Sequence, residues 1–249
     1  MSRAALLVVL AACGSSGGGS TPDAAIDAAN DASDIDAASD APGASGFGAL
    51  SGMCGVLNNP ELMAGSAPLF VRDTIAFPRA YMDPADRPLL TAGGQRLAAT
   101  PNAGGSSGLS EIFAFEQLAR CEQAGLLKTE TEIVYATSGK ITDMLVEIDG
   151  HKIGVSVTRA VAFPFGTPYS VADATTLLQR KLEDIQASTQ NVSTADKWDK
   201  QILSYLAFDA AAADSVATAW GNTDASTRAD TIVLVTVTDG VDDFIYTNQ

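Results

Sequence analysis

The sequence predicts a mixed α/β fold, in which one sheet is flanked by helices. Three observations lead to this fold class. After Gly125 the apolar residues change from helical spacing to alternation. The pair Asp149-Gly150 is a strong signal for a two-residue hairpin turn, and the apolar run at residues 231–238 suits a central parallel strand. A meander followed by right-handed crossovers then gives a mixed sheet with helices on both faces.

The predicted elements follow one another along residues 110–249, which we expect to form the α/β domain. Ser110 is expected to cap the first helix, because a hydroxyl at this position accepts a backbone N–H. The elements, in chain order, are helix 111–123, strands 129–136, 141–148 and 151–160, helix 171–188, strand 201–208, helix 209–221 and strand 231–238. The order is therefore helix, three-strand meander, helix, strand, helix, strand.

Residues 1–13 have the layout of a secretory signal. Arg3 is followed by a short apolar run and then by small residues before Cys13, and the run is too short to span a bilayer. The sequence LAAC resembles a bacterial lipobox, whose cysteine is acylated and becomes the new N-terminus. We therefore expect a lipoprotein signal peptide, lipidation of Cys13 and attachment to the cell envelope. Gly14 favours the outer membrane, and an ordinary signal peptide is the alternative.

The chain between the signal and the domain divides into two segments. Residues 14–49 are rich in Ala, Asp, Gly and Ser and are expected to form a disordered acidic tether. Residues 50–109 contain several prolines and few clear periods, so we expect an irregular arm that packs on the core. Of the formal net charge of -15, the tether carries six aspartates, and the folded part stays strongly acidic. Such a charge argues against binding nucleic acid through its phosphates.

The few cysteine and histidine residues limit which disulfides, metal sites and catalytic triads the chain can form. Cys54 and Cys121 could form a disulfide in an oxidising envelope, and two buried free thiols are the alternative. The sequence has no CxxC motif and His151 is its one histidine, which argues against a common zinc site. A Ser-His-Asp hydrolase would need His151, and no GxSxG motif is present.

The predicted hairpin places one aspartate in a defined position. A two-residue turn at Asp149-Gly150 pairs Asp143 with Ser156. Because side chains alternate along a strand, Asp143, Ser156 and Thr158 share one face of the sheet. The opposite face is expected to be apolar and consists of Met144, Val146, Ile148, Ile153, Val155 and Val157.

This element order, with Asp143 on the second strand opposite the third, resembles the PD-(D/E)xK or restriction-endonuclease-like superfamily. The resemblance covers residues 110–238. It implies that Asp143 and the first residue of the tripeptide hold Mg²⁺ or Mn²⁺, and that the tripeptide lysine helps to activate water. In this chain Ser156, Val157 and Thr158 occupy the tripeptide, so the second carboxylate and the lysine are both missing.

Neighbouring residues could replace the missing groups. If residues 137–140 close a hairpin, Val134 pairs with Asp143, and Glu132 lies on the same face within reach of a shared ion. Glu111 matches the position at which some members of the superfamily supply a further acidic residue. Lys181 or Arg180, on the helix that overlies the site in this superfamily, could replace the lysine.

Asp143 and Glu132 could instead have structural roles only. Asp143 would then hydrogen-bond Ser156 across the hairpin, and Glu132 would face solvent.

Three classes of function follow. The first is an envelope-anchored lipoprotein whose nuclease-like domain is a non-catalytic binding module for an unidentified envelope protein. The second is a divalent-metal phosphodiesterase or nuclease that uses Asp143, Glu132 and Glu111, with Mg²⁺ or Mn²⁺. The third is a structural surface lipoprotein without a ligand. The incomplete tripeptide and the acidic charge favour the first class.

Overall fold

The computed structural model describes residues 46–101 and 107–247. These residues form a seven-stranded mixed sheet flanked by helices, which confirms the predicted fold class. The strands, in chain order, are β1 (Ala49–Gly52), β2 (Leu69–Phe77), β3 (Gly125–Thr129), β4 (Met144–Ile148), β5 (His151–Ala160), β6 (Lys200–Ala207) and β7 (Ile232–Gly240). Their order across the sheet is β1-β2-β7-β6-β5-β4-β3, and β2, β7, β6 and β5 run parallel.

Helices cover both faces of this sheet. They are α1 (Asn59–Leu62), α2 (Ala92–Ala99), α3 (Gly108–Cys121), α4 (Val171–Asn191), α5 (Ala210–Asn222), α6 (Ala225–Arg228) and α7 (Asp243–Tyr246). Phe113 and Leu118 of α3 are buried in the core on one face. Leu178 and Leu182 of α4, with Val216 of α5, are buried in the core on the other face. The predicted order of elements is observed from α3 to β7.

The hairpin of β4 and β5 has the predicted register. Met144 pairs with Val155, and Glu147 pairs with Lys152. Asp149 and Gly150 both have positive φ values, of 48° and 80°, as a two-residue hairpin turn requires. The six residues expected on the apolar face all lie in one buried cluster. The alternation of the sequence was therefore sufficient to assign both faces of this hairpin.

The first strand of the meander lies earlier in the chain than predicted. The alternation in residues 129–136 indicated a strand there, but β3 ends at Thr129 and a 3₁₀-helix follows at Glu130–Glu132. The reason is a capping box, in which Glu132 Oε2 accepts a hydrogen bond of 2.8 Å from Thr129 N. Thr129, and not Val134, therefore lies beside β4, where it pairs with Met144.

Residues 50–109 contain more regular structure than the expected irregular arm. They include β2, which pairs with β7 in parallel over its whole length, from Leu69–Ile232 to Phe77–Gly240. The buried residues of β2 alternate with less buried ones, which is the pattern of a strand packed more tightly on one face. This segment therefore supplies a strand to the sheet, together with β1, α1 and α2.

The N-terminal predictions fall largely outside the described residues. The expected signal peptide of residues 1–13, the lipidated Cys13 and the tether up to residue 45 belong to that undescribed part. The last tether residues are described, and Phe47 is 4% exposed within the aromatic core. Among the described residues, no helix is both long and apolar enough to cross a membrane.

A disulfide joins Cys54 and Cys121, which is one of the two states that the sequence left open. The bond ties the residues after β1 to the end of α3. Two hydrogen bonds support the same junction, because Glu122 accepts the backbone N–H groups of Gly55 at 3.1 Å and Leu57 at 2.8 Å.

Candidate functional site

Asp143 lies immediately before β4, where the predicted hairpin register places it. Its backbone N donates to Val155 O at 3.0 Å. Its carboxylate oxygen Oδ2 accepts two hydrogen bonds from β5, from Ser156 Oγ at 3.2 Å and from Val157 N at 2.6 Å. The Asp143 side chain therefore adds hydrogen bonds between the two arms of the hairpin. This is the structural role that the sequence analysis gave as the alternative to a metal ligand.

Lys181 of α4 lies beside this aspartate. Its Nζ donates to Val157 O at 3.3 Å. Burial raises the pKa of the Asp143 carboxyl above its usual value, whereas the Val157 N–H, the charge of Lys181 and the Ser156 hydroxyl act in the opposite direction. The structure thus brings together Asp143, Ser156 and Lys181, and it places Thr158 two residues further along β5, where it is half-buried and pairs with Tyr205.

The two glutamates proposed as further metal ligands have other partners. Glu132 forms a salt bridge of 2.6 Å with Arg96, and this contact lowers the pKa of the Glu132 carboxyl. Glu111 is buried at the start of α3 and accepts a hydrogen bond of 2.7 Å from Ser107 Oγ. The expected position of Glu132 beside Asp143 was wrong, because it assumed that Val134 pairs with Asp143.

The residues around Asp143 do not fit a Mg²⁺ or Mn²⁺ ion. Such ions need several oxygen ligands and carboxylates that offset their charge. Within residues 46–101 and 107–247, no group of three or more His, Cys, Asp or Glu side chains could hold a metal ion. At Asp143 one carboxylate oxygen already accepts hydrogen bonds from Ser156 Oγ and Val157 N, and the positive charge of Lys181 lies beside it.

Sequence reasoning missed a buried carboxyl on β2. Asp73 is 2% exposed and accepts a hydrogen bond from Gln117 Nε2 of α3. Burial raises the pKa of Asp73 to about 7, although the hydrogen bond from Gln117 lowers it. No signal marked this residue, because β2 itself was not predicted.

A cavity of about 220 Å³ at the start of β6 and β7 was also not predicted from the sequence. Asp199, Gln201 and Asp230 are among the residues that line it. The available signal was Gln201 itself, which is a polar residue in an otherwise apolar strand. The sequence alone does not show that Asp230 lines the same cavity as Gln201, because their proximity depends on the order of the parallel strands in the sheet.

No family model matches the chain. The chain is similar to the AAC-rich mRNA clone AAC4 protein of Dictyostelium discoideum, with 42% identity over 153 residues, which is 59% of this chain and 22% of that protein. The chain thus spans about a fifth of the length of this relative.

Among solved structures, the chain is similar to Pyrococcus furiosus SfsA in complex with Ca²⁺. The two share 14% sequence identity with a TM-score of 0.29, over 53% of this chain and 56% of the other. At this TM-score the likeness says nothing further about the present chain.

Proposed function

We propose that this chain is an envelope-anchored lipoprotein whose nuclease-like domain is a binding module without catalytic activity. The observation that carries the proposal is the environment of Asp143. Its carboxylate accepts hydrogen bonds from Ser156 Oγ and Val157 N, so that it joins two strands. Glu132, the expected second metal ligand, instead forms a salt bridge with Arg96.

One observation favours the alternative, a divalent-metal phosphodiesterase that uses Asp143. Burial raises the pKa of the Asp143 carboxyl and the charge of Lys181 beside it opposes that rise, so a lysine is present near the position that the tripeptide leaves empty. Within the part of the chain that the structure describes, the alternative still lacks a group of carboxylates at Asp143 that could hold a metal ion. The acidic net charge of the chain also opposes the approach of a nucleic-acid backbone.

A cleavage screen separates the two functions. Single- and double-stranded DNA and RNA are incubated with the protein in Mg²⁺ and in Mn²⁺, beside the Asp143→Asn variant. We expect wild-type protein and variant to give the same background rate. Glu183→Gln is a matched control, since this exposed glutamate of α4 contacts Gln179. Metal-dependent cleavage that is lost in Asp143→Asn but kept in Glu183→Gln would establish the phosphodiesterase instead.

The envelope attachment is supported by the sequence of residues 1–13 alone. A lipidated Cys13 would anchor the protein stably if it carries more than one acyl chain, because each buried methylene contributes about 0.8 kcal/mol. We expect Cys13→Ser to abolish labelling by a radioactive fatty acid in a bacterial host and to release the protein from the membrane fraction. Labelling that persists in Cys13→Ser would rule out this anchor. A protein partner in the envelope belongs to the same proposal.

A further inference from the structure

Two phenylalanines in the loop after β5 are exposed to solvent. Phe163 is 60% exposed and Phe165 is 40% exposed. Val171, at the start of α4, and Val241, directly after β7, are exposed as well. Because β5, β6 and β7 run parallel, the segments that follow them lie at the same end of the sheet. Large apolar side chains that are exposed together at one end of a domain indicate a surface that binds a partner.

The two exposed rings are held by a continuous series of ring contacts. The ring centroids of Phe163 and Phe165 are 4.8 Å apart, and that of Phe208, after β6, lies 5.4 Å from Phe165. Phe208 in turn contacts Tyr246 of α7 at 5.3 Å, and Tyr246 is 1% exposed. We call these four residues the aromatic ladder. The ladder connects the exposed rings to the core and so fixes their position.

Hydrogen bonds also order the loop that carries the exposed rings. Thr167 N donates to Pro164 O at 3.0 Å, and Ser215 Oγ of α5 donates to Tyr169 O at 2.8 Å. Side chains that are already ordered lose little conformational entropy when a partner binds. Aromatic residues are also enriched at protein interfaces. The exposed end of the aromatic ladder therefore suits the centre of an interface.

Exposed carboxylates flank the aromatic ladder. They belong to three aspartates at the ends of β6 and β7: Asp209, Asp239 and Asp243. Asp209 directly follows Phe208 in the chain. Burial raises the pKa of the Tyr246 hydroxyl, and the charges of Asp242 and Asp209 raise it further, so carboxylates lie close to the inner end of the ladder.

The positive charge nearest to the loop is directed to the backbone. Of residues 159–173, 207–210 and 239–247, Arg159 is the one with a positively charged side chain. Its Nη1 donates to Ile245 O at 3.1 Å and to Tyr246 O at 3.4 Å. The exposed aspartates therefore give this end of the sheet a negative charge. Such a surface attracts a basic partner and repels anionic lipids and nucleic acids.

We propose that the exposed end of the aromatic ladder binds a basic peptide segment of a protein partner. An aromatic side chain of that segment packs on Phe163 and Phe165, and its lysine or arginine side chains pair with the three exposed aspartates. A second copy of this chain is disfavoured, because its net charge of -15 repels a like surface. The inference names the binding surface and the chemistry of the partner for the binding module, and it rests on that proposed function.

The test is a calorimetric titration of the full chain with the peptide KFKKFK, which combines lysines with phenylalanines. Two further peptides separate these components, because KGKKGK keeps the charge without the rings and EFEEFE keeps the rings with the opposite charge. We expect KFKKFK to bind with one-to-one stoichiometry and about tenfold more tightly than either of the others. Its binding should weaken as the NaCl concentration rises, because salt screens exposed charges.

Two variants test the residues that carry the inference. Phe163→Ala should weaken KFKKFK binding by about tenfold, because it removes the most exposed ring of the ladder. Met63→Ala is its matched control, since Met63 is 53% exposed and follows α1, which contacts the start of β6 at the opposite end of the sheet. Asp239→Asn/Asp243→Asn should weaken binding by about fivefold at low salt. Glu183→Gln, which removes an exposed charge from α4, should leave it unchanged.

Several results would overturn the inference. They are the absence of KFKKFK binding, equally tight binding of KGKKGK or EFEEFE, and equal weakening by Phe163→Ala and Met63→Ala. Circular dichroism of each variant excludes unfolding as the cause of a loss. A cleavage activity that depends on Asp143 would contradict the proposed function without affecting this titration, and Asp143→Asn should bind KFKKFK as the wild-type protein does.

Two further measurements would assign the surface to another occupant and so also overturn the inference. The first is binding of the full chain with Cys13→Ser, which lacks the acylation site, to vesicles of phosphatidylcholine and phosphatidylglycerol, if Phe163→Ala abolishes that binding. The second is a dimer in analytical ultracentrifugation that Phe163→Ala dissociates. We expect neither vesicle binding nor a dimer that depends on Phe163.

Discussion

In the wild-type protein, the free energy of unfolding is expected to fall by about 4 kcal/mol between pH 4 and pH 8, because the Asp73 carboxyl titrates in this range. Replacing Asp73 by asparagine should remove this fall. Burial raises the pKa of Asp73 to about 7 in the folded protein from 3.8. Between these two values the folded state holds a proton that the unfolded state has lost. The free energy of unfolding therefore falls as pH rises, by about 1.36 kcal/mol for each pH unit.

The environment of Asp73 explains this direction. The residue lies on β2 beneath α3, where its neighbours in the sheet and Gln117 exclude water. The charge of Glu122 further opposes its ionisation. Below pH 4 the carboxyl is protonated in both states, and above pH 7 it is ionised in both, so the effect is confined to this window.

Urea unfolding at several pH values measures the effect. Asparagine is uncharged and can still accept the hydrogen bond from Gln117, so Asp73→Asn should gain stability relative to wild type as pH rises. Asp214→Asn is a control, because Asp214 is exposed on α5 and its side chain is 68% accessible. Stability curves of wild type and Asp73→Asn that run parallel from pH 4 to pH 8 would show that Asp73 is not the titrating group.

Removing the disulfide should also have a large effect. The double variant Cys54→Ala/Cys121→Ala is expected to lose about 4 kcal/mol of stability, from the loop-closure entropy of a bond that spans 67 residues. Without the bond, the unfolded chain gains conformations, while the contacts of Glu122 with Gly55 and Leu57 remain in the folded state.

The measurement is the urea midpoint under oxidising conditions and with dithiothreitol. The reductant should lower the midpoint of the wild-type protein and leave that of the double variant unchanged. Equal midpoints for the oxidised wild-type protein and the double variant would mean that the bond constrains a part of the chain that does not unfold with the domain.

The elements that were predicted well depend on local signals. β5 was predicted with its observed bounds, because Asp149-Gly150 fixes where it begins and alternation fixes its faces. β3 was misplaced because residues 129–132 carry both an alternating pattern and a capping box, and the local sequence does not say which prevails. β2 was missed because Arg72 and Asp73 interrupt its apolar residues, and because its pairing with β7 is remote in sequence.

The candidate sites divide in the same way. Asp143 and Ser156 were brought together by a register that the turn determines, and Lys181 by the helix that follows β5. Glu132 depended on the misplaced strand and was lost with it. The cavity at the start of β6 and β7 could not be predicted, because Asp230 comes close to Gln201 only through the order of the parallel strands.

Calorimetric titration of Mn²⁺ into the full chain, beside Asp143→Asn, tests the central claim most directly. The claim is that Asp143 joins β4 to β5 and does not hold a metal ion. It predicts that Mn²⁺ gives no binding that depends on Asp143, so that the two titrations coincide. Saturable binding of one Mn²⁺ by the wild-type protein that disappears in Asp143→Asn would contradict it, and Asp143 would then be a ligand of a metal ion.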